Sequence, residues 1–524
     1  MNKSTKSLLL AALIALAPAA YAQAQLTNGV PDASDAAVFA GGIFNLPTDS
    51  IPSSGSAPFG DPTGAALNQV NVGSGGNLPA SFLDQEIHFS EVNINSGGDT
   101  SNSLHFFNSE VNVLAGGEIG ALYTVEASST LNVADGAGSI GSNVDIFGTA
   151  NISGGRSSGN FDTFAGSTVN IGGTADIDGS NSNDFAGVVN ISGDAQISTG
   201  TDFEASSNVT VSGGTFASNI DFFGTNNFTG GDFGGNFILR EGATAVFDDT
   251  DGGVTIASGG QIRGQATING GDFTASLDFD PGSAGSVVNG GTFGANVDIS
   301  DDITINGGTF GANLDVGIGS GSTAPTVTVN GGTFDEIDVD SGTVNIEGGT
   351  FLGGPTGVAI SVRSAGSLDG TPVTPATVNL RGGDIQGLVE AFGDINLFGT
   401  DFAIDGTPLA GLSSFDVLDP ENRASSILTG TLEDGNEIRL VLNEGFFFID
   451  TTEPISNPLD IDGNLSTIFT DVDEGNDVFG LPGGFGGALT VNGTTINITA
   501  VPEPSSLSLL ALGALGLISR RRRS

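Results

Sequence analysis

The sequence contains no cysteine and no tryptophan, one methionine and two histidines. Without cysteine there are no disulfides, no thiol nucleophile and no thiolate metal centre. Basic residues are nearly as scarce, with 13 Lys and Arg against 60 Asp and Glu, a formal charge of −47. Both lysines, Lys3 and Lys6, open the chain, and Arg520, Arg521, Arg522 and Arg523 close it. Between them lie only Arg156, Arg240, Arg263, Arg363, Arg381, Arg423 and Arg439. Nucleic acid is excluded as a partner, because a phosphate backbone is held by basic patches. No Gly-x-Ser-x-Gly elbow, P-loop or His-Glu-x-x-His is present. Hydrophobic residues make up 38%, below the globular norm but too many for a chain disordered by composition.

What is abundant is glycine, 84 residues, and phenylalanine, 35. Both recur at a fixed period. A polar residue beside Val or Ile, followed by glycine, returns at Asn93, Asn112, Asn132, Asn151, Asn170, Asn190 and Thr210, at intervals of 19 or 20. Further on the pattern becomes Gly-Gly-Thr/Asp-Phe, as at Gly270 to Phe273, Gly290 to Phe293, Gly307 to Phe310, Gly331 to Phe334 and Gly348 to Phe351. Within a unit the polarity alternates. In Ile303-Thr304-Ile305-Asn306 the isoleucines face one way and the polar residues the other, the period of a strand. The glycines supply a tight corner. Glycine spacing and β-branched content argue against helix.

One such unit cannot bury its apolar face, whereas stacked units can. The expected fold is therefore all-β, a parallel β-solenoid of about 17 coils. At ~4.8 Å per strand it would be a rod of roughly 80 Å. Asn269, Asn289, Asn306 and Asn330 at the corners fit either a hydrogen-bonded ladder or simple turn preference. The solenoid is expected over residues 68–402, preceded by a leader or cap at 25–67. A β-rich cap or spacer at 403–500 would contain a hairpin around Asp434-Gly435 and further strands at 445–449 and 489–498.

The two ends read as addresses. Lys3 and Lys6, the apolar run Leu8 to Ala17 and the small residues Ala20, Ala22 and Ala24 describe a signal peptide, residues 1–24, cut after Ala22 or Ala24. At the other end, residues 501–524 carry Pro502-Glu503-Pro504, an apolar stretch from Ser505 to Ser519, and Arg520 to Arg523. This order predicts a short transmembrane sorting helix whose basic end stays on the cytoplasmic side.

That tail resembles the PEP-CTERM sorting signal of Gram-negative bacteria, over about 24 residues. Pro502, Glu503 and Pro504 match the recognised motif, and Arg520, Arg521, Arg522 and Arg523 the basic end. The resemblance implies processing by exosortase, a membrane-embedded enzyme, after signal peptidase has acted at the N-terminus. It also implies passage through the inner membrane and display at the cell surface or in the extracellular matrix. It says nothing of the cargo's activity.

Candidate chemistry is sparse. His88 and His105, about one coil apart, fit either metal ligation or two polar side chains on early coils. Asp471, Asp473 and Asp477 place oxygen ligands at alternating positions like the start of a calcium loop, although Pro482 stands where an EF-hand has its bidentate Glu. Asp221, Asp278, Asp298 and Asp315 each follow a corner Phe by five residues, and Asp338 follows one by four. Asp145, Asp162, Asp184 and Asp202 occupy similar places. If coils stack in register, these carboxylates form a column that either fans into solvent or is bridged by Ca2+. No organic cofactor is expected.

The reading these features favour is an exported, non-enzymatic solenoid with a structural or adhesive role and extracellular polysaccharide as a partner. The alternative is a carbohydrate-active β-helix enzyme, a polysaccharide lyase or glycosidase. A lyase would need cationic groups, which are few here; a glycosidase would need only two carboxylates. A third reading, an autotransporter passenger, lacks a C-terminal barrel.

Overall fold

The computed structural model describes residues 43–46, most of 67–449, and 495–500. The signal segment with Ala22 and Ala24, most of the leader, and the loop bearing Asp471, Asp473 and Asp477 lie outside the described residues. So does the tail with Pro502, Glu503, Pro504 and Arg520 to Arg523, and with it the expected transmembrane helix. Among the described residues no helix is long and apolar enough to cross a membrane. The chain is all β, a parallel β-solenoid of about 15 turns, close to the number read from the repeat. It divides into two compact units, residues 1–234 and 235–524, built on the same three-strand turn.

In the first unit a representative turn consists of Thr168–Ile171, Asp176–Ile177 and Asn183–Phe185. The first strand lies parallel between Thr149–Ile152 and Val188–Ile191, so that Asn151, Asn170 and Asn190 share one column. Alternation sets which side chains enter the core. Val169 and Ile171 are buried while Asn170 between them points outward. On the third strand of successive turns Phe185, Phe203 and Phe222 lie inside, with ring centroids 5.2 and 4.7 Å apart.

The stack begins earlier than the sequence suggests. Ile43–Leu46 pairs in parallel with Gln69–Val72, and Asn71 donates from Nδ2 to Asn45 Oδ1 at 3.0 Å. The Ile-Phe-Asn-Leu alternation carries this signal, but it stands isolated in a stretch rich in Pro, Ser and Gly.

The second unit repeats the plan with sharper corners. Ile303–Ile305 lies between Ser286–Val288 and Thr326–Val329. At the corner that follows, Gly308 has φ +108°, which disfavours any side chain, and a Cβ on Gly307 would sit 2.6 Å from the Asn289 carbonyl oxygen. The two glycines are thus required for different reasons, one conformational and one steric. The chain then turns Phe310 inward, between Phe293 at 4.5 Å and Phe334 at 4.8 Å. Phe273 and Phe351 extend this file of nearly parallel rings.

The asparagines form hydrogen-bonded ladders. In the first unit each Nδ2 donates to the Oδ1 of the turn before: Asn93 to Asn71 at 3.1 Å, Asn112 to Asn93 at 3.0 Å, and Asn132 to Asn112 at 2.9 Å. The ladder continues through Asn151, Asn170 and Asn190 at 2.7–2.8 Å. At the corners of the second unit, Asn289, Asn306 and Asn330 each donate 2.8 Å to Asn269, Asn289 and Asn306 respectively. Between the two explanations left open by the sequence, the ladder is the one realised. Each amide has one donor and one acceptor aligned with the stacking direction, so the interaction propagates at no cost in register.

The repeat ends where a strand changes partners. Asp394–Ile404 pairs in parallel with Ala376–Leu380 as far as Leu397, then antiparallel with Ser426–Leu432 from Gly399 onward. Ser426–Leu432 and Glu437–Asn443 form a hairpin about Gly435, which has φ +94°. Arg381 clasps the hairpin to the last turns. Its guanidinium reaches Glu433 at 3.1 Å and Glu347 at 3.5 Å and lies 3.6 Å over the Phe398 ring. The Gly383 amide donates to Asp434 Oδ2 at 2.6 Å. Thr495–Ala500, a few residues later than the strand expected at 489–498, pairs in parallel with Ile395–Gly399 and antiparallel with Ser413–Asp416.

Candidate functional site: the carboxylate column

The third strand of a typical turn contributes three positions, the first and third of which are buried. The second points outward, and there the carboxylates collect. In the second unit the register places Gln261, Asp278, Asp298, Asp315, Asp338, Ser361 and Glu390 in one column. In the first unit Glu86, His105, Thr124, Asp145 and Asp162 stand in register. Asp184, Asp202 and Asp221 form a further run there, with the Asp184 amide donating to Asp162 Oδ1 at 3.1 Å. Asp221, Asp278, Asp298 and Asp315 therefore all occupy the same position of the turn, Asp221 in one unit and the other three in the second.

The column is less solvated than an outward position suggests. Asp315 is 7% exposed and Asp338 2%. Burial, reinforced by the facing carboxylates of Asp338 and Asp298, pushes the Asp315 carboxyl up to about 7. Burial, with Asp298 and Asp280 nearby, pushes Asp278 up to about 6. Asp298 is also raised by burial, partly offset by its hydrogen bond with Asp315. In the first unit burial raises Asp145 against the opposing pull of His105. Asp162 is raised by burial and by its acidic neighbours, with the Asp184 amide opposing. Burial is the first cause of every shift, and for Asp162, Asp278, Asp298 and Asp315 a neighbouring carboxylate adds to it.

Two residues that the sequence reading passed over support this column. Asn296 Nδ2 donates to Asp315 at 3.4 Å, and Asn313 Nδ2 donates to Asp338 at 3.3 Å. Each asparagine reaches from one turn to the aspartate of the next. The recurring Gly-Ala-Asn-x-Asp at 294–298 and 311–315 is the signal that could have found them. At the edge of the column, Arg263 pairs with Asp280 at 3.0 Å and donates to Gln261 at 2.9 Å.

His88 and His105 belong to different columns. His88 Nε2 lies 3.0 Å from Glu86, and His105 Nδ1 lies 3.8 Å from Glu126. The Phe107 ring stacks on His88 at 4.7 Å and on His105 at 6.4 Å. Among the described residues no three His, Asp or Glu side chains converge as a metal centre. The column offers carboxylates in consecutive pairs, which suits bridging along the stack better than an enclosing shell.

Comparison with known proteins bears on the C-terminal end. Residues 500–523 match the PEP-CTERM protein-sorting motif. Neither the curated proteins nor the solved structures hold a match to the chain. The motif implies export, processing by exosortase, and a surface or extracellular destination.

Proposed function

We propose that this PEP-CTERM protein is a non-enzymatic structural or adhesive solenoid of the cell surface or extracellular matrix. The observation that carries the reading is the recurrence of like outward side chains on successive turns of each unit. Side chains on the turns pair chiefly with their counterparts on neighbouring turns, asparagine with asparagine and aspartate with aspartate. Such a surface repeats from turn to turn within each unit and suits repeated, low-specificity contact with a polymer. Extracellular polysaccharide is the partner class this favours, approached through hydroxyl groups that can donate to carboxylate oxygens. Ca2+ bridging consecutive members of Asp278, Asp298 and Asp315 would relieve their mutual repulsion and stiffen the stack.

A carbohydrate-active enzyme is the second reading, and one feature favours it. A carboxyl that holds its proton near neutrality, as Asp315 does, beside a second carboxylate is the pairing a glycosidase uses. The burial of Asp315 and Asp338 weighs against substrate access.

The sorting part is tested by mass spectrometry of the exported protein from a host that has exosortase. The mature chain is expected to lack the residues after about Pro504, and surface-localised protein still ending in Arg523-Ser524 would overturn it. The cargo part is tested by a glycan and matrix binding screen with product analysis. Retention without cleavage supports the adhesive reading, and released oligosaccharide supports the enzyme.

A further inference from the structure

The last described strand, Thr495–Ala500, ends two residues before Pro502. The matched sorting motif begins at residue 500, within that strand. One edge is paired from Ile496 to Ala500 and the other from Thr495 to Ile498. Ile496, Asn497 and Ile498 are opposite Ile395, Asn396 and Leu397 on one side, and opposite Phe415, Ser414 and Ser413 on the other. Ile498 is buried, 2% exposed, beside Leu397 at 0%. The strand therefore extends the column of Asn-bearing strands by one and covers an edge that would otherwise stay open.

This arrangement has a consequence for the processing enzyme. Enzymes and receptors that take a peptide as an extended strand bind its backbone N–H and C=O groups. On the N-terminal side of Pro502, those groups are engaged in the sheet on both edges as far as Ile498 and on one edge as far as Ala500. Pro502 itself has no N–H to offer. Sheet and enzyme thus compete for the same backbone.

We infer that Thr495–Ala500 is a strap whose docking between Ile395–Gly399 and Ser413–Asp416 restrains processing of the sorting motif, and that processing proceeds from the undocked strand. The inference rests on the sorting reading above. The enzyme's apparent affinity for the chain is lowered by the fraction of molecules in which the strap is released. Processing is then fastest before the cap has closed, and a fully folded chain waits at the membrane with its tail retained. After processing, the strand re-docks and the new C-terminus is held at the end of the sheet, so the mature solenoid keeps its covered edge.

The test uses the full chain in a host with exosortase. Because the protein has no native cysteine, Leu397→Cys with Ile498→Cys introduces a single thiol pair. Neighbouring parallel strands lie ~4.8 Å apart, within the span of a disulfide, and export to an oxidising compartment closes it. Mobility on non-reducing gels identifies the cross-linked molecules, and mass spectrometry reads their C-terminus.

Cross-linked chains are expected to retain the tail while the same variant, grown with reductant, is processed at least as fast as the parent. In a second variant, Ile498→Asp, the strap is loosened and processing should accelerate several-fold. Equal processing of cross-linked and reduced chains overturns the inference. Failure of the two thiols to join overturns it too, since the strands would not be neighbours. A parent chain that is never processed overturns the sorting reading and the strap together.

Discussion

Asp298 and Asp315 stand directly opposite one another on adjacent parallel strands, and the buried Asp315 faces the buried Asp338 on its other side. Carboxylates withdrawn from water and set face to face repel one another unless one of them holds a proton. The pair is therefore most comfortable when it holds one proton, and its stability depends on pH.

For Asp278 and Asp315 the folded-state values, about 6 and about 7, lie above the ~3.9 of an unfolded aspartate. Between those values the folded chain binds more protons than the unfolded one, so stability falls as pH rises. The melting temperature should be highest in mild acid, decline from about pH 4 to about pH 7, and level off above. Thermal unfolding across that range checks this. Asp298→Asn with Asp315→Asn should flatten the profile and raise the melting temperature in alkali. A profile unchanged by the double substitution would remove the column as its source.

Ca2+ needs the ionised column, so its effect belongs to the alkaline side of that window. At about pH 8 calcium should raise the melting temperature by binding the folded stack and not the unfolded chain. Sodium chloride at matched ionic strength should not reproduce the shift. Equal melting temperatures in calcium and in chelator would sink the bridging idea, and the double Asn variant should respond less than the parent.

Asn306 donates to Asn289 and accepts from Asn330. Asn306→Ala removes both bonds and leaves their partners to water, since the corner is exposed. The expected loss is about 1–3 kcal/mol, two bonds at ~0.5–1.5 kcal/mol each. Urea unfolding monitored by far-ultraviolet circular dichroism measures it. A midpoint indistinguishable from the parent would mean that the ladder follows the stacking and does not contribute to it.

Phe310 is 2% exposed and sandwiched between two rings. Phe310→Ala should destabilise the second unit by about 3–5 kcal/mol, the range for removing a buried aromatic side chain. Phe310→Leu, which keeps most of the volume, should cost less. If the two variants unfold at the same denaturant concentration, cavity formation is not what destabilises this corner.

Much of this protein could be read from residue order alone. The Asn93 to Thr210 spacing, the Gly-Gly corners and the Ile303-Thr304-Ile305 alternation determine a parallel stack, because glycine conformation and strand periodicity are local properties of the chain. The Pro502-Glu503-Pro504 tail with its arginines is equally local, and a sorting signal acts as sequence. The hairpin about Gly435 follows from two alternating runs on either side of a turn residue.

Only the tertiary structure decided the rest. Whether Asn289 and Asn306 bond to each other depends on the register between turns, which a spacing of 17 in one turn and 24 in the next does not reveal. The pairing of Ile43–Leu46 with Gln69–Val72 spans 26 residues, longer than the repeat that would have pointed to it. The sequence placed Asp298 and Asp315 in a column. Their depth, their support from Asn296 and Asn313, and their hold on a proton come from packing by neighbouring turns, because a pKa responds to the groups around a carboxyl in space and not to its neighbours along the chain.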